Sequence, residues 1–428
     1  MKSIIYIHIS IITFSILIVV SSITKLINYD GIFTYYHKNF KREILKDPNY
    51  PWDLPIKYYI QDKVMEKNVK IAISEIEKNT CIKFEKRSSF FNDTPGLIFK
   101  IGSSCSSFYG RQSHNHSQEI WLSSKCYINP YIILHEIGHA LGLMHEHARM
   151  GRDEYITIDD SQLDDHGREN FHIRNNTTYY KNYSTGYDYA SVMHYGPYDF
   201  GSTLKWLFGY PVMESKLYQQ YTWMMGQHEK ATFNDYKRIN LAHCNRCGWV
   251  DDETGEIKKN NIKNNKASRK KQKKMADCKN SGYPNFTDCN KCICPTGYTG
   301  DSCEKIIDSD SKCNETIFYA NETIRYILLV DKMNCYIQIK TNITNTNVQF
   351  NVSYVNAPPF KNGICVESSA FQIKYRRDRG VTGLLLCGHD PRLLTITSES
   401  KNILFFYQGI YYHSFIAFSF RAVNKTKN

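Results

Sequence analysis

Apolar residues fill almost every position from Ile4 to Val20, behind Lys2 and ahead of Ser21 and Ser22. At 17 residues the run is short for a bilayer span, which needs about 20, and suits the core of a secretory leader. Cleavage is expected after Ser22, so residues 1–22 read as a signal peptide. Membrane attachment follows only if that leader stays on. Further along, Ile56 to Ile60 alternates like a strand, and Val64 to Asn79 repeats apolar residues at helical spacing. Leu97–Ile101 and Glu119–Leu122 read as further strands. Ile128 to Leu143 reads as a helix announced by Asn129-Pro130. Between 313 and 423 short apolar runs recur: Tyr326–Val330, Cys335–Ile339, Val348–Val355, Phe371–Tyr375, Asn402–Tyr407 and Phe415–Phe420. Strands at this regular spacing predict a β-sandwich. The chain therefore reads as an α+β domain followed by an all-β one.

Composition sharpens this picture in two places. The length of 428 residues calls for two or three domains, and 42% hydrophobic residues is a globular share. The net charge of +12 invites a nucleic-acid partner, but nine Lys or Arg and no acid fall between Lys258 and Lys274. The rest of the chain keeps only about +3, so no nucleic-acid surface is expected. With Asn260, Asn261, Asn264 and Asn265 inside it, the run reads as a solvated linker. Adhesion to acidic glycans or extracellular matrix, or processing at Arg269-Lys270-Lys271, is its functional alternative. Fourteen cysteines and eleven Asn-X-Ser/Thr sequons, among them Asn92, Asn115, Asn176, Asn182 and Asn351, suit an oxidising, extracellular compartment.

The candidate chemistry lies between His135 and His145, which reads His-Glu-Ile-Gly-His-Ala-Leu-Gly-Leu-Met-His. His135 and His139 share one helix face, where two imidazoles can address one metal ion. Glu136 sits beside them as a general base that is not itself a ligand. On a continuing helix His145 would lie roughly 9 Å further along and off that face. Gly142 can take the positive φ that ends the helix and returns the chain. The pattern is a helix, a break and a third ligand, the arrangement of a zinc peptidase.

Downstream, Ser191-Val192-Met193-His194-Tyr195-Gly196 resembles the methionine turn of the metzincin clan. More narrowly, residues 43–244 resemble the astacin family, through His145 to Asp153, Tyr187-Asp188-Tyr189, Cys81-Ile82-Lys83-Phe84, Gly110-Arg111, Gly226-Gln227 and Asp235 to Cys244. Gly151 departs from the family's usual Asp, which puts a supporting salt bridge in question. The resemblance implies a metzincin catalytic domain over 43–246, a twisted mixed sheet plus the zinc helix, acting on protein or peptide substrates. It implies one zinc held by His135, His139 and His145, with Met193 beneath it and Tyr195 as both a metal-binding and an oxyanion-stabilising phenol. It also implies Cys81–Cys244 and Cys105–Cys126 disulfides, and a substrate that pairs with the edge of the strand near 119–122. His114 and His116 nearby read as surface residues. The loop after Phe200, through Trp206, Tyr210-Pro211 and Lys216, departs from the family's pocket-forming loop.

Residues 23–42 read as a short pro-segment ending in Lys41-Arg42, and the resemblance makes Glu43 the mature N-terminus, its amino group buried against Glu146. Family precursors are silenced by a pro-segment Asp. Asp30 is the sole acidic residue there, though Asp30-Gly31 reverses the family's order, and a solvated Asp is the alternative. Residues 247–304, basic linker included, resemble an EGF-like module with a Cys294–Cys303 disulfide; Cys247 is the candidate sixth cysteine. Residues 313–423 resemble a CUB domain with Cys313–Cys335 and Cys365–Cys387 disulfides. Ser368-Ser369 and Gln408-Gly409 stand where calcium-binding acids are sought, which argues against calcium. The expected function is secreted zinc-dependent endopeptidase. The alternative is an inactive extracellular adhesion protein that works through its EGF-like and CUB-like modules.

Overall fold

The computed structural model describes residues 44–45, 51–163, 165–173, 180–181, 183, 185–201, 209–248, 276–390 and 393–425. The leader 1–22, the pro-segment 23–42 with Asp30, Glu43, the basic run 258–274, Asn176, Asn182 and Trp206 lie outside them.

Five strands build the first sheet: β1 (Ile56–Ile60), β2 (Phe84–Lys86), β3 (Gly96–Ile101), β4 (Ser106–Ser107) and β5 (Gln118–Leu122). Their order is β2-β1-β3-β5-β4, parallel throughout except that β4 runs antiparallel to β5. Every second residue of β1 and β5 is buried, as a strand with one face on a core requires. Against that face pack α1 (Glu66–Asn79), through Val69, Ala72, Ile73 and Ile76, and α2 (Pro130–Ala140), through Ile133, Leu134 and Ile137. One sequence expectation is overturned here. The strand at 118–122 is no open edge, because Ile120 and Trp121 pair with Phe99 and Lys100 on one flank and with Ser107 and Ser106 on the other. The edge is β4, too short to leave a period-two pattern in the sequence.

Below α2 the chain forms an antiparallel pair, β6 (Ile156–Ile158) with β7 (Met213–Ser215), and then α3 (Phe233–His243). Thr232 and Asp235 form a capping box at the start of α3. Cys81–Cys244 ties its end back to the segment after α1, and Cys105–Cys126 ties β4 to the approach of α2. Residues 276–306 form two short ladders, Tyr283–Pro284 with Cys292–Ile293 and Tyr298–Thr299 with Lys305–Ile306. They are stapled by Cys278–Cys292 and Cys294–Cys303, and Cys247–Cys289 joins them to the end of the preceding domain.

The C-terminal part is a sandwich of β8 (Ile317–Tyr319), β9 (Arg325–Val330), β10 (Met333–Lys340), β11 (Thr346–Asn356), β12 (Phe371–Lys374), β13 (Leu384–Leu386), β14 (His389–Asp390), β15 (Leu394–Thr397), β16 (Asn402–Gly409) and β17 (Phe415–Asn424). One sheet runs β8-β10-β16-β12-β13 and the other β9-β17-β11-β14, with β15 also on β11. Phe350, Phe371, Phe405 and Phe418 interlock between them. Cys313–Cys335 and Cys365–Cys387 brace it. Its apolar core does not stop at its own boundary. It continues into Tyr187, Tyr189, Met213, Tyr221 and Met224, so the sandwich and the part of the first domain that follows α2 bury one cluster. Tyr375 meets Tyr218 edge-on at 5.8 Å, and Cys365 N–H donates to Trp223 O at 2.8 Å.

Candidate active site

Asn129 opens α2 by accepting from Tyr131 N–H at 2.8 Å, with Pro130 at the first helical position where a missing N–H costs nothing. The helix is shorter than the apolar pattern predicts and stops at Ala140. Gly142 takes φ +95° and donates to His139 O, while Leu143 N–H reaches back to Gly138 O at 2.9 Å. Those bonds close the helix and turn His145 toward His135 and His139.

The three imidazoles are buried and converge through Nε2, at 3.2 Å between His135 and His145 and 3.1 Å between His139 and His145. Nitrogens on a tetrahedral zinc at about 2.0–2.1 Å stand ~3.3 Å apart, so the trio fits that ion. Each ring is also held from behind. His135 Nδ1 meets Val192 O at 2.8 Å and His139 Nδ1 meets Leu143 O at 2.9 Å, contacts that leave Nε2 as the metal-facing acceptor. Behind His145, the Tyr109 phenol oxygen lies 3.4 Å from Nδ1, and the Tyr109 ring abuts His139 edge-on at 4.7 Å. Burial pushes His139 down to about 4 and His135 down as well, which favours the neutral rings a metal needs.

Glu136 is buried beside them, and its Oε2 has no hydrogen-bond partner. Burial raises its carboxyl to about 8, and a cation between the histidines would pull it down again. Such an orphaned oxygen is costly unless a ligand or water engages it.

Met193 is fully buried beneath Gly138, where an added Cβ would come within 3.1 Å of its sulfur. The turn that carries it hangs from α3: Asp235 accepts from Ser191 Oγ at 2.6 Å and Val192 N–H at 3.0 Å. Met193 O in turn accepts from Glu146 N–H at 2.9 Å. Tyr195 lies 4.4 Å from the His145 ring and stacks on His147 at 4.2 Å, and burial raises its phenol pKa.

Glu146 is fully buried among charged partners. Its carboxylate is already engaged by Arg149 at 2.8 Å and Arg238 at 2.7 Å, and it accepts from Asp188 N–H at 2.9 Å. Although burial opposes ionisation, the two guanidinium charges hold the group at about 2. Glu43, whose amino group the resemblance places against Glu146, lies outside the described residues. Gly151 has a local reason, since φ +80° favours glycine, while Arg149 finds support from Glu146 and Thr185 O instead. His114 and His116 are exposed and take no part in the cluster.

Sequence reasoning missed Tyr109, Arg238 and the anchoring role of Asp235. Tyr109 had one signal, its place directly before Gly110-Arg111. Gly110 N–H donates to His139 O at 2.8 Å, which docks the end of the β4 strand against the metal helix.

The family model described as Astacin, a peptidase family, matches residues 44–244. Zinc metalloproteinase nas-34 of Caenorhabditis elegans is 29% identical over 364 residues, covering 84% of this chain and 54% of that protein. Zinc metalloproteinase nas-27 of the same organism is 27% identical, covering 65% and 58%. Blastula protease 10 of Paracentrotus lividus is 28% identical, covering 79% and 52%. The chain thus spans about half the length of the curated relatives it matches. Among solved structures, the hatching enzyme high choriolytic enzyme 1 of Oryzias latipes aligns at TM-score 0.38 and 24% identity, over 49% of this chain and 97% of that one. Residues 44–244 thus match the astacin peptidase family as a domain, and within that domain His135, His139 and His145 are placed to hold one zinc.

Proposed function

We propose that this protein is a secreted zinc endopeptidase that hydrolyses peptide bonds of extracellular proteins. The reading is carried by three Nε2 atoms converging beside a buried, unpartnered Glu136 oxygen. A zinc ion there supplies Lewis acidity, which polarises a carbonyl and acidifies water toward neutral pH. Glu136 accepts the proton of the attacking water and passes it to the leaving amine nitrogen. Tyr195 turns its phenol toward the oxygen that gains negative charge and donates a hydrogen bond to it. The open edge of β4 takes an extended substrate as an added strand.

All fourteen cysteines are spent in seven disulfides, which supports an extracellular setting. The module at 276–306 fits an EGF-like reading and the sandwich a CUB-like one. Activation is a cut after Arg42 that frees Glu43, with Asp30 the candidate silencing carboxylate. Its support is the Lys41-Arg42 pair, together with Ile44, which is buried against Leu143. An inactive adhesion protein has no observation in its favour, because the three histidines and Glu136 are all present and assembled.

Replacing Glu136 with Gln tests the mechanism. Zinc content should match the unmutated chain while kcat on a peptide falls about 100-fold or more. A variant that keeps its turnover would remove Glu136 from the chemistry.

A further inference from the structure

The loop between β12 and β13 reaches out of the sandwich and grips one catalytic segment, Thr185 to Tyr189. Arg376 Nη1 donates to Tyr187 O at 2.7 Å, and its guanidinium covers the Tyr155 ring at 5.0 Å. Tyr155 in turn stacks on Tyr187 at 4.8 Å. Asp378 accepts from Gly186 N–H at 2.6 Å and from Asn234 Nδ2 at 3.2 Å. Thr382 donates to the Asp188 carboxylate through its N–H at 3.2 Å and its hydroxyl at 3.3 Å. The two surfaces touch backbone to side chain: a Cβ on Gly186 would stand 2.9 Å from Val381. The loop is itself fixed, since buried Lys374 donates to Arg379 O and Val381 O.

The other side of the same segment faces the metal centre. Arg149 donates to Thr185 O at 3.0 Å, Asp188 N–H donates to Glu146, and the Tyr187 hydroxyl meets His194 Nε2 at 2.7 Å. Two residues beyond Tyr189 the chain becomes Ser191-Val192-Met193, whose Val192 O orients His135. Residues 185–189 are thus held between the sandwich and the metal-binding shell, with no slack residue in the path from Arg376 to His135.

We propose that Arg376, Asp378 and Thr382 are positioning residues for the metal site, so that the C-terminal sandwich acts as a brace for the methionine turn. The function assigned to a domain of this kind changes accordingly. A tethered module that captures substrate alters only how large substrates are held. A brace alters turnover of every substrate, including a short peptide with nothing for the sandwich to bind. It also alters how long the imidazoles keep a metal, because groups behind metal-ligating histidines commonly govern affinity about 10- to 100-fold.

The proposal rests on the zinc-site reading, and the experiment separates the two. In the full chain, Arg376→Ala, Asp378→Ala and Thr382→Val are compared with the unmutated protein by hydrogen exchange over 187–196, by zinc loss to a chelator and by kcat and KM on a short peptide. The expected result is exchange over 187–196 and zinc loss each about tenfold faster, exchange in α1 unchanged, and kcat falling more than KM moves. Asp378→Asn keeps an acceptor oxygen and should recover most of the loss. Tyr326→Ser, on the exposed face of β9, should change nothing. Should Arg376→Ala fail to be secreted, Thr382→Val and the Asp378 pair decide the matter. Folded variants with unmoved 187–196 exchange overturn the brace even if the unmutated chain proves an active zinc enzyme. Faster exchange in a chain that neither binds zinc nor cleaves peptide upholds the brace and overturns the zinc reading instead.

Discussion

Tyr109 places its phenol oxygen behind the third metal-binding ring, 3.4 Å from His145 Nδ1. Removing that oxygen leaves His145 a weaker anchor, so Tyr109→Phe should loosen zinc about 10-fold or more while the loaded enzyme turns over near its normal rate. Competition against a chelator of known strength measures this, and unchanged affinity would reduce Tyr109 to packing. His135, His139 and the neighbouring Glu136 were legible in the sequence because helix geometry converts their spacing into one site, and Gly142 marked the break that returns His145 to it. Tyr109 was not, since its contact spans 36 residues and depends on where a two-residue strand ends. Arg238 and Asp235 were hidden for a related reason. On the pattern of α3 they look like ordinary polar helix positions, yet both are fully buried and hold Glu146 and the methionine turn.

Among the elements, those with long periodic stretches were readable, and the shortest were not. The strand at 56–60 and the helix after residue 64 follow from alternation and helical spacing. β4 and β13, at two and three residues, carry too few positions to show a period. The metal helix was overestimated because Leu141 and Leu143 continue its apolar rhythm past the point where Gly142 ends it. That glycine sits at φ +95° with Ile44 and Leu45 at ordinary contact distance. In Gly142→Ala the cost is therefore conformational, about 1–2 kcal/mol. Thermal unfolding should show a Tm lowered by a few degrees. An unshifted Tm would mean that the helix can end some other way.

At the scale of the molecule, the pattern of the chain suggested separate domains, and the surfaces that merge them were invisible in it. A buried interface residue has the same apolar signature as a core residue, and only the fold tells which is which. The merged region also carries ionised groups. Burial works against the charge of Glu367, but Lys230 and Lys374 hold it at about 2. Asp378 likewise overcomes burial, through Lys237 and the Gly186 and Gly380 N–H groups, and sits at about 2. Both lie below their unfolded values, so they stabilise the native state above about pH 4.5. That contribution is lost as the pH falls toward 2, when the unfolded chain binds the protons first. Tm should drop more steeply between pH 5 and about pH 3 in the unmutated chain than in Glu367→Gln, which has no carboxyl there to titrate. Parallel slopes would mean that Glu367 contributes nothing to the acid response.

The Cys247–Cys289 bond spans the basic run, with Arg269-Lys270-Lys271 inside the loop it closes. A trypsin-like nick there changes the chain's connectivity without dividing the molecule. The nicked protein should migrate as one species on a denaturing gel without reductant and as two once its thiols are freed. Two fragments in the absence of reductant would place Cys247 in a different pairing. A basic-specific protease can thus mark this protein as cut while every part of it stays attached.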